Sequence, residues 1–337
     1  MSKALFLAKV FRSENNNAQY SGEKPEIDIK IEGRKGKKKK TDEKRLAGFV
    51  NTIARHSPFG RAVLEDAAKD GYTLVMENQK GTFGFCDKEM KVIALNPRVS
   101  DALLIATLAH ESRHAQQFSH GAEDRFGIYN LKSEVMYSRA MEADAETAAA
   151  ATCHEINING GDVRPWREFA RDSVEIAEGF MAQATVGKPQ VTDKMLQGAF
   201  NGWYKDVGMV ISYEEGYIID TMKEALKGKN EDMPPYDQNA TSEEIVNQFC
   251  FDAEGKCYWA DNPQVLNDYE KLAVSEDTHR MAQTFFSVRQ QRTGQEADKT
   301  LNDVDVRRTV WFKKEKAAVS KDNPAVLRAV LAQRRQR

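Results

Sequence analysis

The sequence predicts an α+β protein that is predominantly helical. Three short runs rich in β-branched or aromatic residues lie at Tyr72–Met76, Thr82–Cys86 and Lys91–Leu95, and turn-forming residues separate them. Together they predict a small antiparallel sheet. Two long helical patterns follow, and the chain beyond Gly161 shows helical periodicity or composition without a strand pattern. Apolar residues make up 41% of the 337 positions, which is enough to build a hydrophobic core.

Three segments are predicted along the chain. Residues 1–45 form a flexible or partly ordered basic lead-in, with one short strand over Glu26–Ile31 because its apolar residues alternate. Residues 46–160 form the domain that carries the sheet and the two long helices. Residues 161–337 form an all-helical domain for which the sequence indicates no role. The boundary is drawn at Asn159–Gly161, the clearest break in the chain.

The predicted helices have recognisable ends. Ser57 can cap a helix that has Pro58 at its first position and stops at Gly71. Helices over residues 100–118 and 133–156 are predicted to pack on the sheet and to carry the chemistry. Later segments with helical patterns are 166–186, 193–205, 213–227, 242–250, 264–292 and 323–335.

The charge balance argues against a nucleic-acid or membrane-surface partner. Lys plus Arg number 49 against 51 for Asp plus Glu, so the net charge is −2. A basic run at residues 34–40 has six cationic residues in seven positions. No aromatic residue interleaves it to stack on bases, so we interpret it as a solvated tether. The basic residues 328–337 are interpreted as the frayed end of a last helix. No pattern indicates the oligomeric state.

The sequence favours a cytoplasmic protein. Residues 1–11 are interrupted by Lys3 and Lys9, which leaves an apolar run too short for a signal peptide, and no later run has transmembrane length. Four cysteines are scattered along the chain: Cys86, Cys153, Cys250 and Cys257. Their number and spacing do not suggest a disulfide framework, so we expect structural thiols in a reducing compartment. Export without a cleaved signal remains compatible with the sequence.

The run Leu108–His114 contains the pattern HExxH. Residues four apart lie one turn along the same helix face, so His110 and His114 can reach one cation at the short distances that zinc requires. Glu111 is rotated by about 100° from His110 and lies beside the cation rather than on it. There it can take a proton from a water molecule whose pKa zinc lowers to about 7. The pattern predicts zinc-dependent hydrolysis with Glu111 as general base.

The context of the motif supports this interpretation. The chain has only six histidines, so HExxH would arise by chance in about one such sequence in a hundred. The predicted helix begins at a capping residue, Ser100, and Leu104 and Leu108 can anchor it in a core. The alternative interpretation is an exposed helix with two ordinary histidines.

A catalytic zinc site needs a third protein ligand, and two residues compete for this role. His120 completes the histidine spacing of metzincins, but that pattern has a glycine at the position of Gln117, where the chain turns sharply. Glu142 lies 28 residues after His114, in a segment that resembles the gluzincin arrangement, where a glutamate on a following helix completes the site. Small neighbours favour burial of Glu142, and a buried carboxylate requires a cation. Glu142 is therefore the preferred third ligand.

A wider run resembles a known family. The segments Val92–Pro97, Leu108–Gln117 and Glu142–Ala145 are similar to an uncharacterised group of bacterial metallopeptidase domains, over residues 45–160. The resemblance implies a compact gluzincin-like zinc domain in which the strand before the motif helix lines a cleft for an extended peptide. It also implies that Glu146, four positions after the glutamate ligand, supports a histidine, although most such proteins carry aspartate there.

Other polar residues near the motif have less defined roles. Metal-bound histidines usually donate their second N–H to a carboxylate, and the Glu146 carboxylate can be that acceptor. Asp144 is the rival acid, but it points about 160° away from Glu146 around the helix. A donor for the transition-state oxygen is also needed. Proximity in sequence gives four candidates among which no choice is made: Tyr129, Tyr137, Arg139 and His154.

These patterns predict a zinc metallopeptidase that acts on peptide or protein substrates. The first alternative is a non-catalytic scaffold or interaction protein on a metallopeptidase fold. The second is a zinc hydrolase of a non-peptide amide or ester. The intact HExxH favours retained chemistry, whereas the choice of a peptide substrate depends on the family resemblance.

Overall fold

A four-stranded sheet precedes a large assembly of helices in the computed structural model, which describes residues 24–123, 126–185, 189–230, 233–296 and 298–307. The strands are β1 (Lys30–Glu32), β2 (Thr73–Met76), β3 (Gly84–Asp87) and β4 (Val92–Leu95). The first four α-helices are α1 (Lys39–His56), α2 (Pro58–Lys69), α3 (Asp101–Ser119) and α4 (Leu131–Ile158). The predicted caps are confirmed, because Ser57 accepts a hydrogen bond from Gly60 N and Ser100 accepts one from Leu103 N.

The sheet is mixed, with the strand order β1-β2-β4-β3. The predicted antiparallel pairing is right for β3–β4 and wrong for β2–β4, which is parallel. Strand β1, which the prediction did not place in the sheet, pairs with β2 in parallel. The chain leaves β2 for the sheet edge at β3 and returns through β4. The run Val92–Leu95 is the most apolar of the strands, and it takes a central position with a neighbour on each side.

The rest of the described chain is helical. Its elements are α5 (Arg164–Asp172), α6 (Val174–Ala182), α7 (Asp193–Trp203), α8 (Val207–Tyr213), a π-helix (Glu214–Ile219), α9 (Asp220–Lys227), α10 (Ser242–Phe249), α11 (Tyr269–Leu272) and α12 (Glu276–Thr293). Short 3₁₀ turns lie at Gly36–Lys38, Val265–Asn267 and Lys299–Asp303. Among the described residues after 160, strand pairing is limited to isolated bridges. The predominantly helical α+β class is therefore confirmed. The predicted helix 323–335, the basic residues 328–337 and residues 1–11 lie outside the described residues.

The basic run 34–40 is folded rather than a free tether. Its lysines are exposed, as predicted, but they form a 3₁₀ turn and the first residues of α1. Arg34 makes an ion pair of 2.7 Å with the buried carboxylate of Asp42. Part of the predicted lead-in is therefore ordered. No helix within the described ranges is both long and apolar enough to cross a bilayer.

Helices α3 and α4 lie between two hydrophobic clusters. Leu104 and Leu108 of α3 pack in the cluster that contains the sheet residue Ile93. The alanine-rich α4 packs in a larger cluster that also holds Trp203 and Phe249 from the helical region. This larger cluster combines residues from before and after position 160. The cluster does not define separate domains, so the boundary predicted there stays a prediction.

Candidate metal centre

The two motif histidines face each other on α3. Their Nε2 atoms are 3.1 Å apart, and the ring planes cross at 82°. Two N–H groups cannot point at each other at this distance, so at least one Nε2 must present its lone pair. The four-residue spacing thus brings His110 and His114 together as the sequence predicted.

Glu142 reaches the same point from α4. Its Oε2 lies 3.6 Å from Nε2 of His110 and 3.5 Å from Nε2 of His114. Tetrahedral zinc with ligand distances of 2.0–2.1 Å separates its ligand atoms by about 3.3 Å. The atom is buried and has no hydrogen-bond partner within the described residues. The triangle of two nitrogens and one oxygen therefore has the dimensions and the unsatisfied acceptor that a bound cation requires.

His120 does not join this group. It lies at the C-terminal end of α3, where its ring packs edge-on against Phe251 with centroids 4.7 Å apart. Among the described residues, the group of side chains that could hold a metal ion comprises His110, Glu111 and His114. Of the two candidates for the third position, Glu142 has an oxygen near both histidine nitrogens, whereas His120 lies outside this group.

Glu111 lies beside the histidines and is buried. One of its carboxylate oxygens is within 4.8 Å of a ligand atom of each histidine. Burial raises the pKa of Glu111, and the neighbouring imidazoles only partly offset this, so the pKa is raised overall. A carboxylate with a raised pKa can take up a proton and later release it near neutral pH.

Strand β3 packs closely against this part of α3 because Gly84 has no side chain. A Cβ at Gly84 would lie 2.7 Å from Thr107 Cγ2, 2.8 Å from the Ala94 carbonyl oxygen and 3.3 Å from Glu111 Cγ. Glycine is thus required for the edge strand to approach Glu111 this closely. Sequence reasoning assigned Gly84 only to a strand.

The ring orientation of His114 is fixed by Gln117. Nδ1 of His114 lies 2.8 Å from Gln117 Oε1. The Gln117 amide nitrogen donates to Met141 O at 2.9 Å and to Asp144 Oδ2 at 2.7 Å, which fixes the amide orientation. Oε1 must then accept from Nδ1–H, so Nε2 of His114 is left for the metal. In the sequence, Gln117 shares the histidine face of the helix and breaks the metzincin pattern, but neither feature indicates that it accepts from His114.

Asp144 anchors this amide. Arg113 donates to both of its oxygens, at 2.6 and 3.0 Å, and the Tyr258 hydroxyl donates at 2.9 Å. Arg113 also donates to the Phe249 and Phe251 carbonyls, at 2.8 Å each. Asp144 therefore acts on His114 indirectly, and it connects the motif helix to the helical region.

Glu146 lies next to the other motif histidine. Its Oε1 is 3.3 Å from Nδ1 of His110. Burial acts to lower the pKa of His110, but the Glu146, Glu111 and Glu142 carboxylates outweigh it and raise the pKa to about 10. Three carboxylates around two imidazoles give this buried site a negative charge when the imidazoles are neutral. Such a site attracts a divalent cation.

The helical region contributes a residue that sequence reasoning missed. The Tyr217 hydroxyl donates to Glu142 Oε1 over 2.5 Å. Burial acts to raise the pKa of Glu142, but the His114 and His110 imidazoles and the Tyr217 hydroxyl together lower it to about 2. Tyr217 is 75 positions from Glu142 along the chain, and no local spacing indicates the contact.

The four candidate oxyanion donors have other contacts. Tyr137 OH accepts from Glu123 N, and Tyr129 packs against the Tyr137 ring. Arg139 pairs with Glu214, and His154 Nε2 bonds to the Pro189 carbonyl at 2.7 Å. These contacts are structural in character. All four cysteines are free thiols, and Cys153 and Cys250 are buried, as expected for structural residues.

Comparison with known proteins identifies the family. The family model described as "Putative metallopeptidase family (DUF6782)" matches residues 32–259. The match covers more than half of the chain, which therefore belongs to this family. It extends past the predicted range 45–160 and includes the helices that carry Tyr217. No curated protein and no solved structure matches the chain. Family membership and the clustered His110, Glu111 and His114 together imply a metal cofactor.

Proposed function

We propose that this family member is a zinc-dependent peptidase whose metal is held by His110, His114 and Glu142. One observation carries the proposal: two imidazole nitrogens and a buried carboxylate oxygen, which has no hydrogen-bond partner in the described part of the chain, lie 3.1–3.6 Å from one another. Two histidines and one glutamate are a known ligand set of catalytic zinc sites, which keep a fourth position for water or substrate.

The residues around the metal have distinct roles. When bound, zinc would acidify a water molecule and polarise the substrate carbonyl. Glu111 takes the proton of the attacking water and passes it to the leaving amine, for which its raised pKa suits it. Glu146 Oε1, which lies 3.3 Å from Nδ1 of His110, is the proposed acceptor for that ring, and Gln117 accepts from Nδ1 of His114. Each histidine thus directs Nε2 at the cation.

The substrate binds along the edge strand β3. Strand β4 has neighbours on both sides, so it cannot accept a peptide by strand pairing, although the family resemblance implied that it lines the cleft. Strand β3 ends the sheet and passes next to Glu111 at Gly84. An extended peptide paired with β3 would therefore run past the base.

Metal analysis tests the proposed ligands. The purified wild-type protein is expected to contain about one zinc per chain. The His110→Ala/His114→Ala double variant and the Glu142→Ala variant are expected to lose it, whereas His120→Ala keeps it as the matched control. A zinc-free wild type, or loss of zinc from His120→Ala alone, contradicts the proposed ligand set.

Peptide cleavage tests the proposed reaction. The zinc-loaded wild type is incubated with a peptide library, and products are identified by mass spectrometry. Glu111→Gln is expected to retain zinc and to lose cleavage, since the amide cannot accept the proton. Zinc-loaded wild type that cleaves no peptide contradicts the peptidase proposal while leaving the metal site intact. Undiminished cleavage by Glu111→Gln removes the residue from its role as base.

A further inference from the structure

We propose that Tyr217 is a positioning residue that keeps Glu142 bound to the metal through a single oxygen. The inference rests on the proposed metal site and assigns part of its control to the helical region. Tyr217 faces the distal oxygen of the carboxylate, not the metal-facing one, so its role differs from that of a ligand.

The two oxygens of Glu142 have different environments. Oε2 faces the two histidine nitrogens and has no hydrogen-bond partner within the described residues. Oε1 accepts the Tyr217 hydroxyl at 2.5 Å. Hydrogen bonds from a hydroxyl to a carboxylate are among the stronger ones in proteins. The phenol therefore competes with any cation for Oε1 and leaves Oε2 as the ligand atom.

Tyr217 is held in place by the π-helix that contains it. Glu214, three residues earlier, is buried and pairs with Arg139 at 2.6 Å. Glu214 also accepts from Ser275 N at 2.9 Å and from Thr278 Oγ1 at 2.7 Å. A π-turn adds one residue to the helical repeat, so it shifts the direction of the side chains that follow by about 100° relative to a continuous α-helix. Anchoring at Glu214 thus sets the direction of Tyr217.

Aromatic packing restricts the ring itself. Phe126 stacks on Tyr217 with ring centroids 4.2 Å apart and planes within 16°. Tyr213, one turn earlier, packs against the same ring with centroids 5.3 Å apart. Contact with two aromatic neighbours restricts rotation of the Tyr217 ring, and so keeps its hydroxyl next to Oε1.

Single-oxygen ligation has a chemical consequence. A carboxylate that is free to rotate can chelate a cation with both oxygens and raise the coordination number from four to five. A catalytic zinc site must keep a position open for water or substrate. By occupying Oε1, Tyr217 prevents the carboxylate from filling that position. It also orients the ligand, as the outer partners of metal sites generally do.

The variant Tyr217→Phe tests this role because it removes the hydroxyl and keeps the ring. We expect zinc affinity, measured by competition with a chromogenic chelator, to fall about 10- to 100-fold. We also expect weaker d–d absorption of the Co²⁺-substituted protein, since the intensity falls as the coordination number rises from four to five. The wild type should give the strong four-coordinate spectrum.

The matched control is Tyr204→Phe. Tyr204 is buried in the same helical region, and its hydroxyl has no hydrogen-bond partner among the described residues. This variant should keep wild-type zinc affinity and the wild-type Co²⁺ spectrum. Thermal unfolding of both metal-free variants separates a positioning role from general destabilisation. A general loss of structure lowers the unfolding temperature of the metal-free protein as well as its metal affinity, whereas loss of a positioning contact lowers only the metal affinity.

Three outcomes overturn the inference. Zinc affinity and a Co²⁺ spectrum unchanged in Tyr217→Phe would show that the hydroxyl does not position Glu142. A five-coordinate spectrum of the Co²⁺-substituted wild type would exclude single-oxygen ligation, and this measurement needs no variant. In both cases the protein binds metal, so the proposed function survives. A wild type that binds no metal instead overturns the proposed function, and this inference with it.

Discussion

The helices that carry the metal-facing atoms and the helical region after residue 160 contribute differently to one site. Helices α3 and α4 supply the proposed ligand atoms, from His110, His114 and Glu142. The helical region supplies hydroxyl donors that hold acidic residues of α4, through Tyr217 and Tyr258. The first region thus supplies the proposed ligand atoms, and the second supplies contacts that orient the acidic residues around them. The difference teaches that the geometry of the proposed site depends on contacts from both regions.

The buried pair Arg139–Glu214 gives the sharpest test of this dependence. Both side chains are only 1% exposed, and the pair joins α4 to the π-helix at 2.6 Å. Arg139→Met leaves the Glu214 carboxylate buried without its cation. We therefore expect the free energy of unfolding, measured by urea denaturation of the metal-free protein, to fall by about 3–5 kcal/mol.

The exposed pair Arg280–Asp277 serves as the control for that variant. It has a similar N–O distance, 2.9 Å, but its side chains are 68% and 54% exposed. Arg280→Met should change the free energy of unfolding by less than about 0.5 kcal/mol. Equal effects of the two substitutions would contradict the view that the helical region is anchored through Arg139.

Local spacing explains why the motif residues could be predicted from the sequence and the supporting tyrosines could not. His110, Glu111 and His114 lie within five consecutive positions, so helix geometry alone places them together. Glu142 was identified from its distance along the chain, the acidic charge and the small neighbours. The supports Tyr217 and Tyr258 are 75 and 114 positions from their partners. Such contacts depend on tertiary packing, which a single sequence does not encode in any local period.

The fold shows the same division. The positions of β2, β3 and β4 and the limits of α3 and α4 followed closely from turn residues, caps and periodicity. The predicted strand Glu26–Ile31 overlaps β1 only at its end, and the predicted helix 264–292 is divided into a 3₁₀ turn and two helices. The order of the strands did not follow from these sequence signals, because the apolar run of β4 is compatible with either an edge or a central position. The start of α1 at Lys39 was also missed, since its lysine-rich first turn has the composition of a solvated segment. The π-helix has no distinctive sequence signal.

Gly84 tests how closely the sheet must approach the base. A methyl group there would lie 2.8 Å from the Ala94 carbonyl oxygen, which belongs to the neighbouring strand and cannot move alone. Gly84→Ala should lower the free energy of unfolding by about 1–3 kcal/mol through overpacking. It should also reduce peptide cleavage by displacing β3 from Glu111. Thermal and urea denaturation measure the first effect, and the peptide library measures the second.

A second substitution sharpens the Gly84 experiment. Thr107→Ser removes the Cγ2 methyl that lies 2.7 Å from the added carbon and keeps the hydroxyl that donates to Leu103 O. The double variant should therefore recover part of the lost stability, but not all of it, since the Ala94 contact remains. Full recovery would show that side-chain crowding alone limits this position.

Gln117 tests the contribution of α3 and α4 to ligand orientation. Gln117→Leu removes the acceptor for His114 Nδ1 and a donor to Asp144. We expect zinc affinity to fall about 10- to 100-fold, because His114 loses the bond that fixes its ring and tautomer. Asn51→Leu is the control, since this buried amide bonds only to backbone atoms of Lys24 and Glu26 among the described residues. Equal zinc affinity in Gln117→Leu and Asn51→Leu would contradict the assigned role.

The pH dependence of zinc binding is expected to give the smallest change, in zinc affinity per pH unit, and it tests Glu146. The pKa of His110 in the metal-free fold is about 10, above its ordinary value of 6.5, so below pH 10 a metal must displace a proton from it. Zinc affinity should therefore rise by up to about tenfold per pH unit from pH 6.5 toward 9, by chelator competition. The stability that this raised pKa gives the metal-free fold is fully present below pH 6.5 and is lost as the pH rises through 10.

Glu146→Gln separates the effect of this carboxylate from that of the metal ligands. After burial, which lowers the pKa of His110, the Glu146 carboxylate makes the largest contribution that raises it. Without that charge His110 should lose its proton at a lower pH, so zinc affinity should level off earlier in the titration. The variant should also hold zinc less tightly at high pH, where the proton no longer competes, because Nδ1 has lost its charged acceptor. An unchanged titration in Glu146→Gln would show that the 3.3 Å contact between Glu146 and His110 does not control the imidazole.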